Sequence, residues 1–96
     1  MTIATTILEQ LGGNRFTAMT GANKMIAHAA GLQFNIPRST NGANRVVITL
    51  TPADLYEVRF YSIRGLKFRE VALLEGVYAD RLRAAFTAAT GLETSL

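Results

Sequence analysis

Cysteine is absent from the 96-residue chain, so neither a disulfide framework nor a thiolate metal site is available, and a reducing compartment suits it. Histidine occurs once, as His28, which excludes paired-histidine metal sites and a Cys-His dyad within one chain. No uninterrupted apolar run approaches the roughly 18 residues that span a bilayer. Met1-Thr2-Ile3-Ala4 carries neither a positive n-region nor an apolar h-region, so no signal peptide is expected. The signatures GxxxxGKS/T, GxGxxG, HExxH and GxSxG are all missing. These absences point to a soluble cytoplasmic protein without cofactor or metal.

The remaining acidic residues do not assemble a catalytic set. Asp54 and Glu57 stand three apart, a spacing that can hold a cation but also fits a cap and a solvated strand residue. Glu70 is most simply the cross-strand partner of Arg59. Glu75 and Asp80 flank Gly76 as a turn carboxylate and a first-turn helix charge. A reaction needs a nucleophile or base with an orienting partner, and an enzyme built on Asp54, Glu57 and His28 has no positive support. The chain is read as non-enzymatic. Asn14, Asn23, Asn41 and Asn44 suit turns and equally suit a loop-based site.

What is present is an ordinary globule, with 49% hydrophobic and 18% charged residues, enough to bury a core within one domain spanning 1–96. No linker or low-complexity segment divides it. The net charge of +3 and pI near 9.8 permit nucleic-acid binding without demanding it. How that charge is distributed matters more than its sum.

Ile3, Ile7, Leu8 and Leu11 recur at helical spacing, and Gly12-Gly13 supplies a stop, giving a helix over Thr2–Leu11. Arg15–Thr20 alternates as a strand. Asn23–Ala30 fits either a helix ending at Gly31 or a strand over Met25–Ala29. Leu32, Phe34 and Ile36 alternate with polar residues up to Pro37, and 37–44 is a loop of turn formers. Arg45–Thr51 is the most β-branched run. Thr51-Pro52-Ala53-Asp54 resembles a single-turn helix start. A final helix from about Tyr78 to Thr90 carries the apolar stripe Tyr78, Leu82, Ala85, Phe86 and Ala89, closed by Gly91 and Leu92. The order α-β-β-β-β-β-α predicts an α+β domain, an antiparallel meander of about five strands covered by an N-terminal and a C-terminal helix.

Leu55–Leu74 reads as a β-hairpin folded about Arg64-Gly65. One face then pairs Ile63 with Leu66, Tyr61 with Phe68 and Arg59 with Glu70. The other pairs Ser62 with Lys67, Phe60 with Arg69, Val58 with Val71 and Tyr56 with Leu73, and is mostly core. The first face has an apolar tip of Tyr61, Ile63, Leu66 and Phe68, ringed by Arg64, Lys67 and Arg69. In a meander, the 20–25 turn, the 37–45 loop and the 64–66 turn share one end of the sheet. That end collects Lys24, Arg38, Arg45, Arg64 and Lys67 with no acidic residue among the turns. Asp54, Glu57, Glu75 and Asp80 gather at the other end.

Two internal similarities stand out. Gly21-Ala22-Asn23-Lys24 and Gly42-Ala43-Asn44-Arg45 each precede an apolar run, which turn chemistry explains because Gly and Asn tolerate positive φ. Phe16-Thr17-Ala18-Met19-Thr20-Gly21 and Phe86-Thr87-Ala88-Ala89-Thr90-Gly91 are also alike. With one read as a strand and the other as a helix end, that match is expected to be coincidence.

The strings Ile7-Leu8-Glu9-Gln10-Leu11-Gly12-Gly13-Asn14-Arg15-Phe16 and Ala18-Met19-Thr20-Gly21-Ala22 resemble the opening of small uncharacterised proteins encoded by bacteriophages and prophages. Ile63-Arg64-Gly65, Gly76-Val77-Tyr78-Ala79-Asp80 and Thr90-Gly91-Leu92-Glu93-Thr94-Ser95-Leu96 are similar too, so the likeness covers most of the chain. It implies a phage or mobile-element accessory gene and the cytoplasm of a bacterial host. It implies no activity and transfers no functional residue.

Two functions from different classes follow. The first is a nucleic-acid-binding accessory protein, with Lys24, Arg38, Arg45, Arg64, Lys67 and Arg69 on phosphates while Tyr61 and Phe68 stack on unpaired bases. The second is a protein-interaction module that inhibits a host factor, for example a host-defence inhibitor of anti-CRISPR type, since Tyr and Arg dominate interface hot spots. A homodimer would cover the hairpin face if nothing else does.

Overall fold

Five strands pair in the order in which they occur along the chain, every neighbour antiparallel. The computed structural model describes residues 3–37 and 42–92. The elements are α1 (Ile3–Leu11), α2 (Asn14–Thr20), β1 (Asn23–His28), β2 (Gly31–Asn35), β3 (Arg45–Leu50), β4 (Tyr56–Arg64), β5 (Lys67–Val77), a 3₁₀ turn (Ala79–Arg81) and α3 (Leu82–Thr90). This is the expected α+β architecture, a five-stranded meander with helices before and after it. The helix layer holds three helices rather than two. None of the described helices is long and apolar enough to cross a membrane.

Register explains which face is buried. Phe34 lies opposite Val46, which lies opposite Phe60, and Leu32, Ile48 and Val58 form the next row. Alternation therefore sends all six side chains to one face, where each is buried. Ala4, Ile7 and Leu11 of α1, Phe16 of α2, and Leu82 and Phe86 of α3 complete that core. The opposite face of the sheet carries Gln33, Val47, Arg59 and Leu73 in one row and Asn35, Arg45, Tyr61 and Glu70 in another.

The segment Asn14–Thr20 is a helix, not the strand its alternation suggested. Phe16 and Thr20 satisfy both periods, since residues four apart share a face in a strand and in a helix. The glycines decide the matter. Gly13 and Gly21 both take positive φ, and the Gly21 amide donates to the Thr17 carbonyl at 3.0 Å, closing a helical C-terminus.

With that correction the second internal similarity becomes a real structural repeat. Thr20 Oγ1 donates to the Phe16 carbonyl at 2.7 Å and accepts the Ala22 amide at 3.2 Å. Thr90 Oγ1 donates to the Phe86 carbonyl at 2.8 Å and accepts the Leu92 amide at 3.2 Å. Gly21 and Gly91 end the two helices at φ +73° and +75°. The leading phenylalanines meet edge to face, with ring centroids 5.3 Å apart, and Phe16 meets Phe34 at the same distance. Burying each such ring is worth about 1.5–3 kcal/mol, so this trio is a major part of the core.

Asn23–Ala30, open between helix and strand, contains β1 over Asn23–His28. The segment after β3 does not form a helical start. Thr51 turns its hydroxyl onto the Leu55 carbonyl at 2.9 Å, and Asp54 sits at φ +63° in a tight turn. The last helix begins with the 3₁₀ turn at Ala79, and Tyr78 is exposed rather than part of the apolar stripe.

The β4–β5 hairpin is shifted from the expected register. Arg64 pairs with Lys67, leaving Gly65-Leu66 as the two-residue turn. Gly65 has φ +59°, and a glycine at the first turn position is what a type II′ turn requires. The shift is two residues, so side chains keep their faces: Ile63 now opposes Phe68, and Tyr61 opposes Glu70. A bulge between Phe60 and Tyr61 then moves the register by one more, placing Ala72 opposite Phe60 and Leu74 opposite Val58. Leu74 packs on the core while Leu73 is exposed. The expected partners Val58 with Val71 and Tyr56 with Leu73 are thereby replaced.

Candidate functional site

The 20–25 turn, the described flanks of the 37–45 loop and the β4–β5 turn share one end of the sheet, as expected. Asn23, Asn35, Arg45 and Tyr61 lie in register across the sheet at the end that also holds the β4–β5 turn. Lys24, Arg45, Arg64, Lys67 and Arg69 share this end. Arg38 falls outside the described residues.

The hairpin separates its aromatic and basic residues. Tyr61, Ile63 and Phe68 project from the open face of the sheet. Ser62 opposite Arg69, and Arg64 opposite Lys67, project from the reverse. The cations therefore do not ring the apolar tip; they back onto it. Tyr61 and Phe68 touch across a diagonal, with ring centroids 4.6 Å apart and planes at 32°. Phe68 is 62% exposed, and Leu66 stands wholly in solvent at the turn. Behind them, Arg64, Lys67 and Arg69 converge with Ser62 and Gly42 on a recess of about 270 Å³. None of the three cations has an acidic partner among the described residues; the ion pairs on this sheet join Arg59 to Glu57 and Glu70.

Those ion pairs lie on the open face. Arg59 meets Glu70 at 2.7 Å and also contacts Glu57. The Arg59–Glu70 pair was expected directly across the strands, but the bulge makes it diagonal, since Leu73 now opposes Arg59. The hydrogen bonds it donates to Glu70 and then to Glu57 hold the guanidinium above its ordinary pKa. Glu57 is thus engaged by Arg59, not paired with Asp54 around a cation. His28 is exposed and bonds Gln33 across the first hairpin at 3.1 Å. Among the described residues, no group of three or more His, Asp or Glu side chains is placed to hold a metal ion.

A second recess of about 360 Å³ lies at the same end, lined by Asn23, Asn35, Ile36, Pro37, Asn44, Arg45 and Ile63. Asn35 was not singled out by the sequence, because its position inside an alternating strand gives no signal beyond a solvated face. It accepts from Arg45 Nε at 3.0 Å. Asn44 acts as a stand-in strand residue. Its amide nitrogen donates to the Ile63 carbonyl at 2.7 Å, and its oxygen accepts the Ile63 amide at 2.9 Å. Its own backbone amide donates to the Tyr61 carbonyl at 2.9 Å. These three bonds anchor the outer half of β4, and with it the hairpin tip, to the rest of the sheet. Asn14 opens α2, and Asn41 lies outside the described residues.

In comparisons with known proteins, the chain matches no family model, no curated protein and no solved structure.

Proposed function

We propose that this chain is a non-enzymatic binding protein that grips single-stranded nucleic acid at the hairpin end of its sheet. The observation that carries the reading is the recess formed by Arg64, Lys67 and Arg69. Three exposed cations converge on one hollow with no carboxylate among the described residues, and a bound anion there relieves their mutual repulsion. Phosphates are anions of the right charge, and the exposed Phe68 beside Tyr61 offers a stacking surface for unpaired bases on the other side of the same ribbon. Lys24 and Arg45 extend the basic end. The setting we propose is the bacterial cytoplasm, where a phage-type accessory protein would meet such strands.

Fluorescence anisotropy with labelled oligonucleotides tests this. Single strands bind better than duplexes, and log K falls with log salt with a slope of about −2, as three phosphate contacts require. Arg64→Glu with Lys67→Glu abolishes binding. Tyr61→Ala with Phe68→Ala weakens it and removes the preference for single strands. Absence of binding at low salt sinks the reading.

One observation favours a second reading. Leu66 and Phe68 stand exposed at the turn, and apolar residues beside arginines are the anchors of protein interfaces. An inhibitor of a host protein, for instance one of host defence, would lose its target with Phe68→Ala and tolerate the charge reversal.

A further inference from the structure

The two recesses at the hairpin end differ in chemistry. The one behind the hairpin presents three cations, with Ser62 its remaining polar side chain among the described residues. The other combines one cation with amides and apolar walls.

In the second recess the Arg45 guanidinium is oriented, because Nε donates to Asn35 Oδ1 at 3.0 Å. Its two terminal nitrogens have no partner among the described residues, so a planar donor fork is presented with its position already set. Asn35 keeps its amide nitrogen as a further donor. Asn23 spends its own nitrogen on the Gly21 carbonyl at 2.9 Å, which leaves Oδ1 as an acceptor. Asn44 is consumed by Ile63. Ile36, Pro37 and Ile63 supply the apolar walls.

A guanidinium fork is matched by a phosphate, a carboxylate, or the O6/N7 edge of guanine. A phosphate offers acceptors only; it would face the Asn23 oxygen and apolar walls, with a richer cationic hollow close by. Guanine satisfies the whole set. O6 and N7 take the fork, the N1–H and exocyclic amino donors have an amide oxygen to meet, and the ring faces suit Ile and Pro. Arg45 also lies opposite Tyr61 in register, one strand away from the surface on which a neighbouring base would stack.

We propose that this recess recognises a guanine within the bound single strand, so that the protein prefers guanine-containing sequences. The proposal rests on the single-strand reading above. It assigns Arg45 the role of reading the base, with Asn35 as the residue that positions it.

The test compares oligo(dT) with the same oligonucleotide carrying one central guanine, or one 7-deazaguanine, which lacks the N7 acceptor. Guanine tightens binding about tenfold, within the range of a good bidentate contact, and 7-deazaguanine loses most of that gain. Arg45→Lys keeps the charge but loses the planar fork, and within this variant the guanine oligonucleotide binds no better than oligo(dT). Asn35→Ala likewise loses the preference while binding oligo(dT). Equal, salt-sensitive binding of all three oligonucleotides overturns the guanine site and leaves the single-strand reading standing. A guanine preference that survives Arg45→Lys removes Arg45 from the role. Failure to bind any of them overturns both.

Discussion

Single residues set the tolerances of this fold. Gly31 is the sharpest case: a Cβ there would lie 2.0 Å from the Ile48 carbonyl oxygen and 3.0 Å from its carbon. The obstacle is backbone in the neighbouring strand, which cannot rotate aside as a side chain would. Gly31→Ala should destabilise the protein by at least the 1–3 kcal/mol typical of overpacking, read as a lower urea midpoint at unchanged m-value; parental stability would show that β2 and β3 separate easily. Nothing in the sequence revealed this contact, since Gly31 also suits a helix end or a turn. Asn44 was equally opaque. Its preference for turns was plain, but its pairing with Ile63 spans 19 residues and depends on a strand register that only the folded sheet defines.

Elements were legible where one period stood alone. Arg45–Leu50 is β-branched, and Leu32, Phe34 and Ile36 alternate without competition, so β3 and β2 formed as expected. Ile3, Ile7 and Leu11 admit only a helical reading. α2 failed because seven residues are too few to separate a period of two from one of 3.6 when Phe16 and Thr20 fit both. The bulge in β5 was invisible for a related reason, as Val71, Ala72, Leu73 and Leu74 are all apolar and the pattern cannot say which of them faces outward. The dismissed repeat carried the missing signal, since α3 was read correctly and its near-copy at Phe16–Gly21 ends the same way. If the two helix ends are equivalent, Thr20→Val and Thr90→Val each cost about 1 kcal/mol, the net worth of the hydrogen bonds removed. Chemical denaturation of both variants checks this. A large loss at one threonine and none at the other would show that the shared geometry is not shared energetically.

At the scale of the whole molecule, a modest net charge conceals a polar arrangement that follows from topology. A meander returns every second connection to the same end, so Lys24, Arg45, Arg64 and Lys67, distant in sequence, gather there. The end itself was legible, and alternation already set Lys67 and Arg69 on the face opposite Tyr61 and Phe68; that the cations back onto the apolar tip instead of ringing it follows only from the folded hairpin. The uncompensated recess predicts a stability effect independent of any biological partner. Sulfate or phosphate should raise the melting temperature more than chloride at equal ionic strength, by binding the folded state alone. Scanning calorimetry of the parent and of Arg64→Glu with Lys67→Glu checks it, and the anion-specific rise should vanish in the variant. The Phe16–Phe86 contact carries a further consequence, for the making of the protein rather than its use. Seventy residues of chain separate the two rings, and Phe34 packs against both. During synthesis the N-terminal helices and all five strands leave the ribosome while this core still lacks its last ring. The core closes only with the C-terminal segment, so a nascent chain stalled before α3 would present an unfinished core to chaperones and proteases.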